Sequence, residues 1–191
     1  MSKSRKLFLD CGGFNGSSIR KFLKETQDST KYDLITFEPN PAFYRCYSSF
    51  GNNHTLIPAA VWIKEGELKF YLDEIDGDGS SVLVGKTTGD LNKQFPLFVP
   101  SIDFSSWLKK NINLGDEVYL KLDIEGAEYE VLEKMFSDDT IHLIKKLYIE
   151  WHWTKIPSVS EERHNKLVER LMSVGIIPSL WDANTSEYIN G

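Results

Sequence analysis

The stretch VYLKLDIEGAEYEVL, residues 118–132, joins an apolar strand pattern to a helical pattern through a glycine turn. Four carboxylates follow the apolar run: Asp123, Glu125, Glu128 and Glu130. The helix dipole favours acids in the first turn of a helix, which explains such a group without any function. Carboxylates at the carboxyl end of a buried strand are also typical of ligand sites in α/β sheets. The stretch therefore predicts a strand–turn–helix unit whose acids are either structural or functional.

The rest of the chain alternates short apolar runs with helical patterns, which indicates βαβ units. Strands are predicted at 6–11, 32–38, 54–62, 117–122, 145–153 and from 176 onward, and helices at 17–26, 43–50, 104–112, 127–136 and 160–174. Residues 64–104 break this alternation with two extended segments around the loop DGDGSS (76–81). We expect one Rossmann-like α/β domain over residues 1–191, with a mostly parallel central sheet flanked by helices and an antiparallel insertion around 64–104. The polar tail after Asp182 is expected to pair with the sheet or to be loose.

The composition excludes several classes of function. The 191 residues carry a net charge of −6, which argues against sequence-independent binding to nucleic acid phosphates. No apolar run approaches the roughly 20 residues that a membrane helix needs, and the start of the chain lacks the apolar segment of a signal peptide. Cys11 and Cys46 are too few for a disulfide scaffold and lack zinc-site spacing. We expect a cytoplasmic protein without nucleic acid or membrane partners, and the oligomeric state stays open.

A glycine-rich turn follows the first predicted strand and suggests a nucleoside ligand. The sequence LDCGGFNG places Asp10, Gly12 and Gly16 where glycine lets a ligand approach the backbone and where the next helix offers free N–H groups. Glu38 ends the second strand, at the position that binds ribose hydroxyls in nucleotide-binding α/β folds. The turn is not G-x-G-x-x-G and the chain has no P-loop, which disfavours a dinucleotide or a nucleoside triphosphate. A ribose-binding acid without a pyrophosphate motif makes S-adenosylmethionine the obvious candidate.

The chain resembles the FkbM-like methyltransferases, which are class I enzymes that use S-adenosylmethionine and mostly methylate hydroxyl oxygens. The resemblance rests on five segments in family order: FLDCGGFNGSS, ITFEPNPAFY, SIDFSSWL, LKLDIEGAEYEVL and LYIEWHW. It implies that the first turn holds the methionine part of the cofactor, that Glu38 holds the ribose and that residues 59–61 lie beside the adenine. The cofactor-binding residues so expected are Asp10, Gly12, Gly13, Phe14, Asn15, Gly16, Glu38, Pro39, Ala60, Val61 and Asp123. The turn departs from the usual D-[IV]-G-A-N-x-G pattern, which leaves any specific role of Asn15 in doubt.

Four residues are the expected catalytic groups. Methyl transfer to an alcohol requires positioning and removal of the hydroxyl proton, by a general base or with a metal. Asp123 is the first choice, to orient the hydroxyl, accept its proton or bind Mg²⁺. Lys121 shares its strand face and either acts on the hydroxyl or forms a structural ion pair. Glu150 and His152 share a face of the next predicted strand, so that His152 is a candidate base or a structural histidine, and Asp123, Glu150 and His152 could together bind Mg²⁺.

The expected substrate contacts are spread over the later part of the chain: Ser81, Glu125, Glu128 and Trp153. Glu130 is interpreted as an acid that suits its helix, and the loop 76–81 as a mobile lid. We assign no role to His54, His142 or His164.

Two other functions stay open at this point. One is an NAD(P)-dependent Rossmann oxidoreductase, which the glycine spacing and the lack of a Tyr-x-x-x-Lys pair disfavour. The other is a nucleoside-binding module without catalytic activity. The leading hypothesis is an O-methyltransferase that uses S-adenosylmethionine and acts on a hydroxyl of a sugar or a similar small polar metabolite.

Overall fold

The structure of the protein is a computed structural model that describes residues 4–181. The tail after Asp182, predicted as paired or loose, lies outside these residues. The strands are β1 (Lys6–Cys11), β2 (Asp33–Phe37), β3 (His54–Ile57), β4 (Ala60–Trp62), β5 (Gly66–Phe70), β6 (Leu97–Asp103), β7 (Glu117–Leu122), β8 (Lys146–Ile149) and β9 (Ser179–Leu180). The α-helices are α1 (Ser17–Glu25), α2 (Phe104–Asn111), α3 (Glu128–Ser137) and α4 (Glu161–Ser173).

Six strands form the central sheet in the order β3-β2-β1-β7-β8-β9, and every pairing in it is parallel. The strand β1 pairs with β2 on one side and with β7 on the other. The strands that follow β1 in sequence, β2 and β3, lie on one side of it, whereas β7, β8 and β9 lie on the other side. This reversal of strand order opens a crevice at the carboxyl ends of β1 and β7. The turn at residues 12–16 and the turn at 123–127 both lie at that crevice.

Apolar side chains cover both faces of this sheet, as a parallel sheet requires. On β1, Leu7 and Leu9 pack into a core with α2, α3 and α4. Phe8 points the other way, into a second core with α1, where its ring stacks on Phe22 at 3.9 Å between centroids. Alternation along one strand thus supplies two cores. Between residues 4 and 181, no helix has the length and apolar character to cross a membrane.

The insertion around 64–104 forms a second sheet of three strands in the order β4-β6-β5. The pair β5–β6 is antiparallel, as predicted, whereas β4–β6 is parallel. The single strand predicted at 54–62 is wrong: it divides into β3, in the central sheet, and β4, in the second sheet. The division falls at Pro58, which lacks the N–H that would continue the ladder. The Ala59 N–H donates to the Ile57 carbonyl at 2.9 Å, which turns the chain toward the second sheet.

Two other predicted elements need correction. The helix expected at 43–50 is a 3₁₀-helix at Pro41–Tyr47. The strand expected at 145–153 ends at Ile149, and a 3₁₀ turn follows at Trp153–Lys155. Glu150 follows the last strand residue, although its N–H still donates to the Leu122 carbonyl at 3.1 Å, and His152 lies beyond the strand. The expected strand is therefore wrong at its end, but the two side chains do meet, with Glu150 Oε1 3.4 Å from His152 Nε2.

Candidate active site

The first turn comes so close to the end of β7 that only glycine fits at position 12. Gly12 has φ +80°, and a Cβ built there would lie 1.8 Å from the carbonyl oxygen of Asp123. The Gly12 N–H donates to the Phe37 carbonyl at 3.0 Å, which joins the turn to β2 as well. Gly12 thus lets the ends of three neighbouring strands meet at the floor of one cleft.

Glu38 connects the glycine turn to the chain that follows β2. Its Oε2 accepts from the Phe14 N–H at 2.7 Å and its Oε1 accepts from the Asn40 N–H at 2.6 Å. Burial raises the pKa of Glu38 to about 7, although these two backbone donors act in the opposite direction. Phe14 adopts φ +48°, and Tyr47 Oη donates to its carbonyl at 2.7 Å. The left-handed backbone of Phe14 is therefore fixed by one hydrogen bond at its N–H and another at its carbonyl.

These groups line a cleft between the central sheet and the second sheet, which we name the central cleft. It encloses about 570 Å³ of empty space, part of it open to solvent. Its lining is Gly12, Phe14, Phe37, Glu38, Pro39, Ala60, Val61, Phe70, Gly77, Asp78, Ser80, Val82, Asp123, Ile124 and Glu125. An apolar middle with acidic groups at both ends suits an elongated ligand with an apolar ring system and polar ends.

Seven of the residues expected to bind the cofactor line the central cleft: Gly12, Phe14, Glu38, Pro39, Ala60, Val61 and Asp123. The other four, Asp10, Gly13, Asn15 and Gly16, do not line it, and their expected contact with the cofactor stays a prediction. A Cβ on Gly13 would lie 2.2 Å from Thr36 Cγ2, so Gly13 packs against β2. Asn15 Oδ1 accepts from the Ser17 N–H at 3.0 Å at the start of α1. Gly16, at φ +82°, begins that helix.

Asp10 lies beneath the turn as part of a buried ion-pair chain. Its Oδ1 is 3.5 Å from Lys121 Nζ, and Thr36 Oγ1 donates to its Oδ2 at 3.5 Å. Burial raises the pKa of Asp10, while the charge of Lys121 opposes that shift. The register of the sheet explains the group, since Asp10 stands opposite Thr36 in β2 and opposite Lys121 in β7.

Lys121 is buried and fully engaged with the turn. Its ammonium lies 3.0 Å from Asp123 Oδ2 and donates to the Gly12 carbonyl at 2.5 Å. Burial lowers the pKa of Lys121, but Asp123 and Asp10 outweigh that effect and raise it. Of the two readings of Lys121, this geometry favours the structural ion pair, because the ammonium does not line the central cleft.

Asp123 stands where the central cleft meets a second one, which we name the acidic cleft. The acidic cleft is lined by Asp73, Asp76, Asp78, Gly79, Lys86, Thr88, Gly89, Asp123, Glu125, Glu150 and Lys155. Burial raises the pKa of Asp123 to about 6, against the charge of Lys121 and with that of Glu150. Asp123 is therefore largely ionised at neutral pH, with a carboxylate oxygen available between the two clefts.

His152 lies at the back of the acidic cleft among three carboxylates. Its Nε2 is 3.4 Å from Glu125 Oε2, 3.4 Å from Glu150 Oε1 and 3.9 Å from Asp123 Oδ1. Burial alone would lower the pKa of His152, but its contacts with Glu125, Glu128 and Glu150 raise it to about 12. His152 is therefore cationic at neutral pH, which favours the structural histidine over the candidate base among its two readings. Among the described residues, Asp123, Glu125 and His152 are the group whose ligand atoms come within 4.8 Å of one another.

Glu128 is fully buried, and its expected contact with the substrate is wrong. Its Oε1 accepts from the N–H groups of Ile124 and Gly126, at 2.9 and 3.2 Å, and lies 3.1 Å from His152 Nδ1. Glu128 thus closes the turn ahead of its own helix and orients the histidine. Glu130 instead forms an ion pair with Arg163 at 3.2 Å, in agreement with its interpretation as a helix acid.

Glu125 is held in a backbone conformation that a residue with a side chain rarely adopts. Its φ is +57°, and Ser81 Oγ donates to its carbonyl at 2.8 Å. Burial would raise the pKa of Glu125, but His152 and Lys86 lower it to about 2. Glu125 lines both clefts, as its predicted substrate role requires. Ser81 lines neither, and its expected contact with cofactor or substrate is corrected to support of the turn.

Trp153 lines neither the central cleft nor the acidic cleft, and its expected substrate contact stays a prediction. Its ring stacks on His164 at 5.3 Å between centroids, and His164 Nδ1 forms a 2.9 Å hydrogen bond with Tyr129 Oη. His164, to which the sequence assigns no role, therefore joins α4 to α3. His54 and His142 line neither cleft.

Sequence reasoning missed five charged residues that line the acidic cleft: Asp73, Asp76, Asp78, Lys86 and Lys155. Asp78 lines both clefts, and the Asp/Gly run around it was a usable signal. Lys86 is buried, forms an ion pair with Glu125 and donates to the Gly79 carbonyl at 2.6 Å. No motif marks Lys86, because its position depends on how residues 76–89 fold over the sheet.

Comparisons with known proteins identify the family. A family model of the methyltransferase FkbM domain matches residues 10–175. Among solved structures, methyltransferase FkbM from Methylobacillus flagellatus KT is similar with a TM-score of 0.52 and 14% sequence identity. The alignment covers 88% of this chain and 38% of that one, and at this identity it shows the fold alone. No curated protein matches the chain. Because the family model extends from the end of β1 past the end of α4, the chain belongs to the FkbM methyltransferase domain family.

Proposed function

We propose that this FkbM-family methyltransferase transfers a methyl group from S-adenosylmethionine to a hydroxyl oxygen of a sugar or a similar small polar metabolite. The observation that carries the proposal is the position of Asp123, which lines both the central cleft and the acidic cleft. A cofactor in one cleft and an acceptor in the other would meet at this carboxylate.

The central cleft is the proposed cofactor site. Glu38 reaches it with a carboxylate that can accept hydrogen bonds from vicinal ribose hydroxyls. Ala60 and Val61 supply an apolar wall for the adenine ring, and Gly12 leaves room for the methionine part. The acidic residues toward Asp78 and Asp123 complement the positive charge of a sulfonium.

The acidic cleft is the proposed acceptor site. Its carboxylates offer hydrogen-bond acceptors, its two lysines, Lys86 and Lys155, offer donors, and apolar contacts are few, which suits a polyhydroxylated molecule. When it is bound, S-adenosylmethionine supplies an electrophilic methyl group. The carboxylate of Asp123 can hold the acceptor hydroxyl in line with the methyl–sulfur bond and accept its proton. Positioning and proton removal are the two main requirements of this reaction.

The test is methyl transfer to a panel of sugars and other polyols, followed by mass spectrometry of the products. Wild-type protein is expected to convert at least one hydroxyl acceptor into a product in which a single methyl group replaces the hydroxyl hydrogen. Asp123→Asn is expected to keep affinity for S-adenosylhomocysteine within about threefold and to lose turnover by about 10²-fold or more. Asp33→Asn is the control. Asp33 lies at the amino end of β2, away from both clefts, and the variant is expected to behave as wild type.

Two outcomes would overturn the proposal. Stabilisation of the protein by NAD and not by S-adenosylhomocysteine in a thermal melt would favour the oxidoreductase, because a ligand of the native state raises the melting temperature. Binding of S-adenosylhomocysteine without transfer to any acceptor would favour the non-catalytic binding module.

A further inference from the structure

The imidazole of His152 presents a nitrogen without a hydrogen bond to a group of carboxylates. The side chain is fully buried, and its Nε2 has no hydrogen-bond partner. The nearest oxygens belong to Glu125, Glu150 and Asp123, at 3.4, 3.4 and 3.9 Å. Buried polar atoms of this kind are rare in folded proteins and need an explanation.

Glu128 selects the tautomer of His152. Glu128 Oε1 already accepts hydrogen bonds from the N–H groups of Ile124 and Gly126, so it is an acceptor at the 3.1 Å contact with His152 Nδ1 as well. A metal ion binds an imidazole in its deprotonated, neutral form, and in that form this contact keeps the remaining proton on Nδ1 and turns the lone pair of Nε2 toward the carboxylates. A carboxylate that holds the second nitrogen of a histidine in this way is the usual support of a metal-binding imidazole.

The other residues of the group are held in the same manner. Asp123 uses Oδ2 for its ion pair with Lys121 at 3.0 Å, which leaves Oδ1 facing His152. Glu125 is fixed by its strained backbone and by the hydrogen bond from Ser81 to its carbonyl. Strain of this kind at a polar residue is commonly found at functional sites. Glu125 Oε2 also forms an ion pair with the ammonium of Lys86, so this oxygen lies between Lys86 and His152.

The candidate ligand atoms lie close enough to one another to bind the same metal ion. Ligand atoms about 2.1 Å from a metal lie about 3.0 Å apart in an octahedron and about 3.4 Å apart in a tetrahedron. The atoms of Asp123, Glu125 and His152 lie within 4.8 Å of one another. Small side-chain rotations would therefore bring them to bonding distance.

We propose that Asp123, Glu125 and His152 bind a divalent transition-metal ion, with Glu150 beside them as a further oxygen donor. An imidazole nitrogen suits ions of the first transition row, whereas Mg²⁺ prefers oxygen ligands alone and keeps much of its water. The mixed ligand set therefore selects against Mg²⁺. The role of the ion rests on the proposed function: at the junction of the two clefts it would bind the acceptor hydroxyl and lower the pKa of that group.

The test uses Mn²⁺ as the probe and measures binding without cofactor or acceptor. Full-length protein stripped with a chelator is titrated with Mn²⁺, and free Mn²⁺ is followed by electron paramagnetic resonance. We expect one bound ion per chain, poor displacement by a hundredfold excess of Mg²⁺, and electron spin echo modulation from one imidazole nitrogen. Glu125→Gln is expected to weaken Mn²⁺ binding by at least about tenfold. Glu130→Gln, an equal change of charge five residues further along the chain, in α3 and outside the group, is the control.

His152→Gln should lose both binding and the nitrogen signal, and Glu125→Gln tests the proposal if the histidine variant fails to fold. Absence of a bound ion, binding without nitrogen modulation, or equal affinity in the Glu125 and Glu130 variants would overturn the metal site. Failure of the proposed function is distinguishable, because it would leave Mn²⁺ binding intact while no acceptor is methylated.

Discussion

Gly12 shows how one position without a side chain makes the cleft possible. Its φ of +80° already disfavours any L-residue, and a Cβ would overlap the Asp123 carbonyl. We expect Gly12→Ala to lose at least about 2 kcal/mol of unfolding free energy, of which about 1–2 kcal/mol comes from the left-handed backbone alone. Urea unfolding measures the loss, and calorimetry should show weakened binding of S-adenosylhomocysteine.

Gly115 provides the matched control for that substitution. A Cβ there would meet nothing within 4 Å, and its backbone is not left-handed. Gly115→Ala is expected to change stability by less than about 1 kcal/mol. Equal losses in the two alanine variants would contradict the steric argument.

Glu38 should make stability depend on pH. Because its pKa is raised to about 7 in the folded protein, the folded state holds this proton at pH values where the unfolded chain has released it. Its contribution therefore favours the folded state at low pH and is lost as pH rises from the unfolded value of about 4.3 to about 7. Glu38→Gln should remove that part of the slope.

The measurement is urea unfolding of wild type and Glu38→Gln at several pH values from 5 to 8. The difference in free energy between the two proteins should change through this window and level off above it. Glu67→Gln, an exposed glutamate on β5, serves as the control. A difference that is constant with pH would mean that Glu38 is ionised throughout.

At the scale of the element, the first turn of α3 carries two acids with different tasks. Glu128 accepts from two backbone N–H groups and contacts His152, while Glu130 pairs with Arg163 at the edge of the helix. Glu128→Ala leaves buried donors unpaired and is expected to cost about 2–4 kcal/mol. Glu130→Ala removes a partly exposed ion pair and is expected to cost less than about 1 kcal/mol.

Chemical denaturation of the two alanine variants distinguishes these roles. Both remove a negative charge from the same helical turn, so a general effect on the helix dipole would be shared. Similar losses would mean that the dipole, and not the buried hydrogen bonds, explains the acids of α3.

At the scale of the whole molecule, the central cleft is lined by residues of two sheets, which are built from different strands of the chain. Gly12 and Glu38 follow strands of the central sheet, whereas Val61 lies on β4 of the second sheet and Val82 lies in the segment between β5 and β6. A ligand between them should therefore slow amide hydrogen exchange in residues 12–16, 60–62 and 77–82 together. The helix α4 lies outside the cleft and is the internal control.

Hydrogen exchange with and without S-adenosylhomocysteine checks this expectation. Slowing confined to the glycine turn would contradict the central cleft as a joint site of both sheets. Slowing spread equally over α4 would instead indicate general stabilisation by the ligand.

The sequence by itself determined the parallel sheet, the order of its main elements and the residues at the strand ends. Alternating apolar runs and the glycine turn depend on local chain geometry, so they could be recognised without the fold. The same patterns identified Asp123, Glu38 and Gly12, because each stands at a fixed distance from a strand end. The family resemblance agreed with these assignments, and the matched family model supports the family. The cytoplasmic location and the acceptor class stay predictions.

Only the tertiary structure decided which polar groups face a cleft and which form hydrogen bonds or ion pairs with other groups of the protein. Glu128 and Ser81 look available in sequence, but their hydrogen bonds to the turn at 123–127 use them as supports. Lys86 carries no motif and reaches Glu125 only because the insertion folds over the sheet. The four acids of VYLKLDIEGAEYEVL therefore divide by what surrounds each one, and burial, charge partners and hydrogen bonds between distant segments are properties that spacing along the chain does not contain.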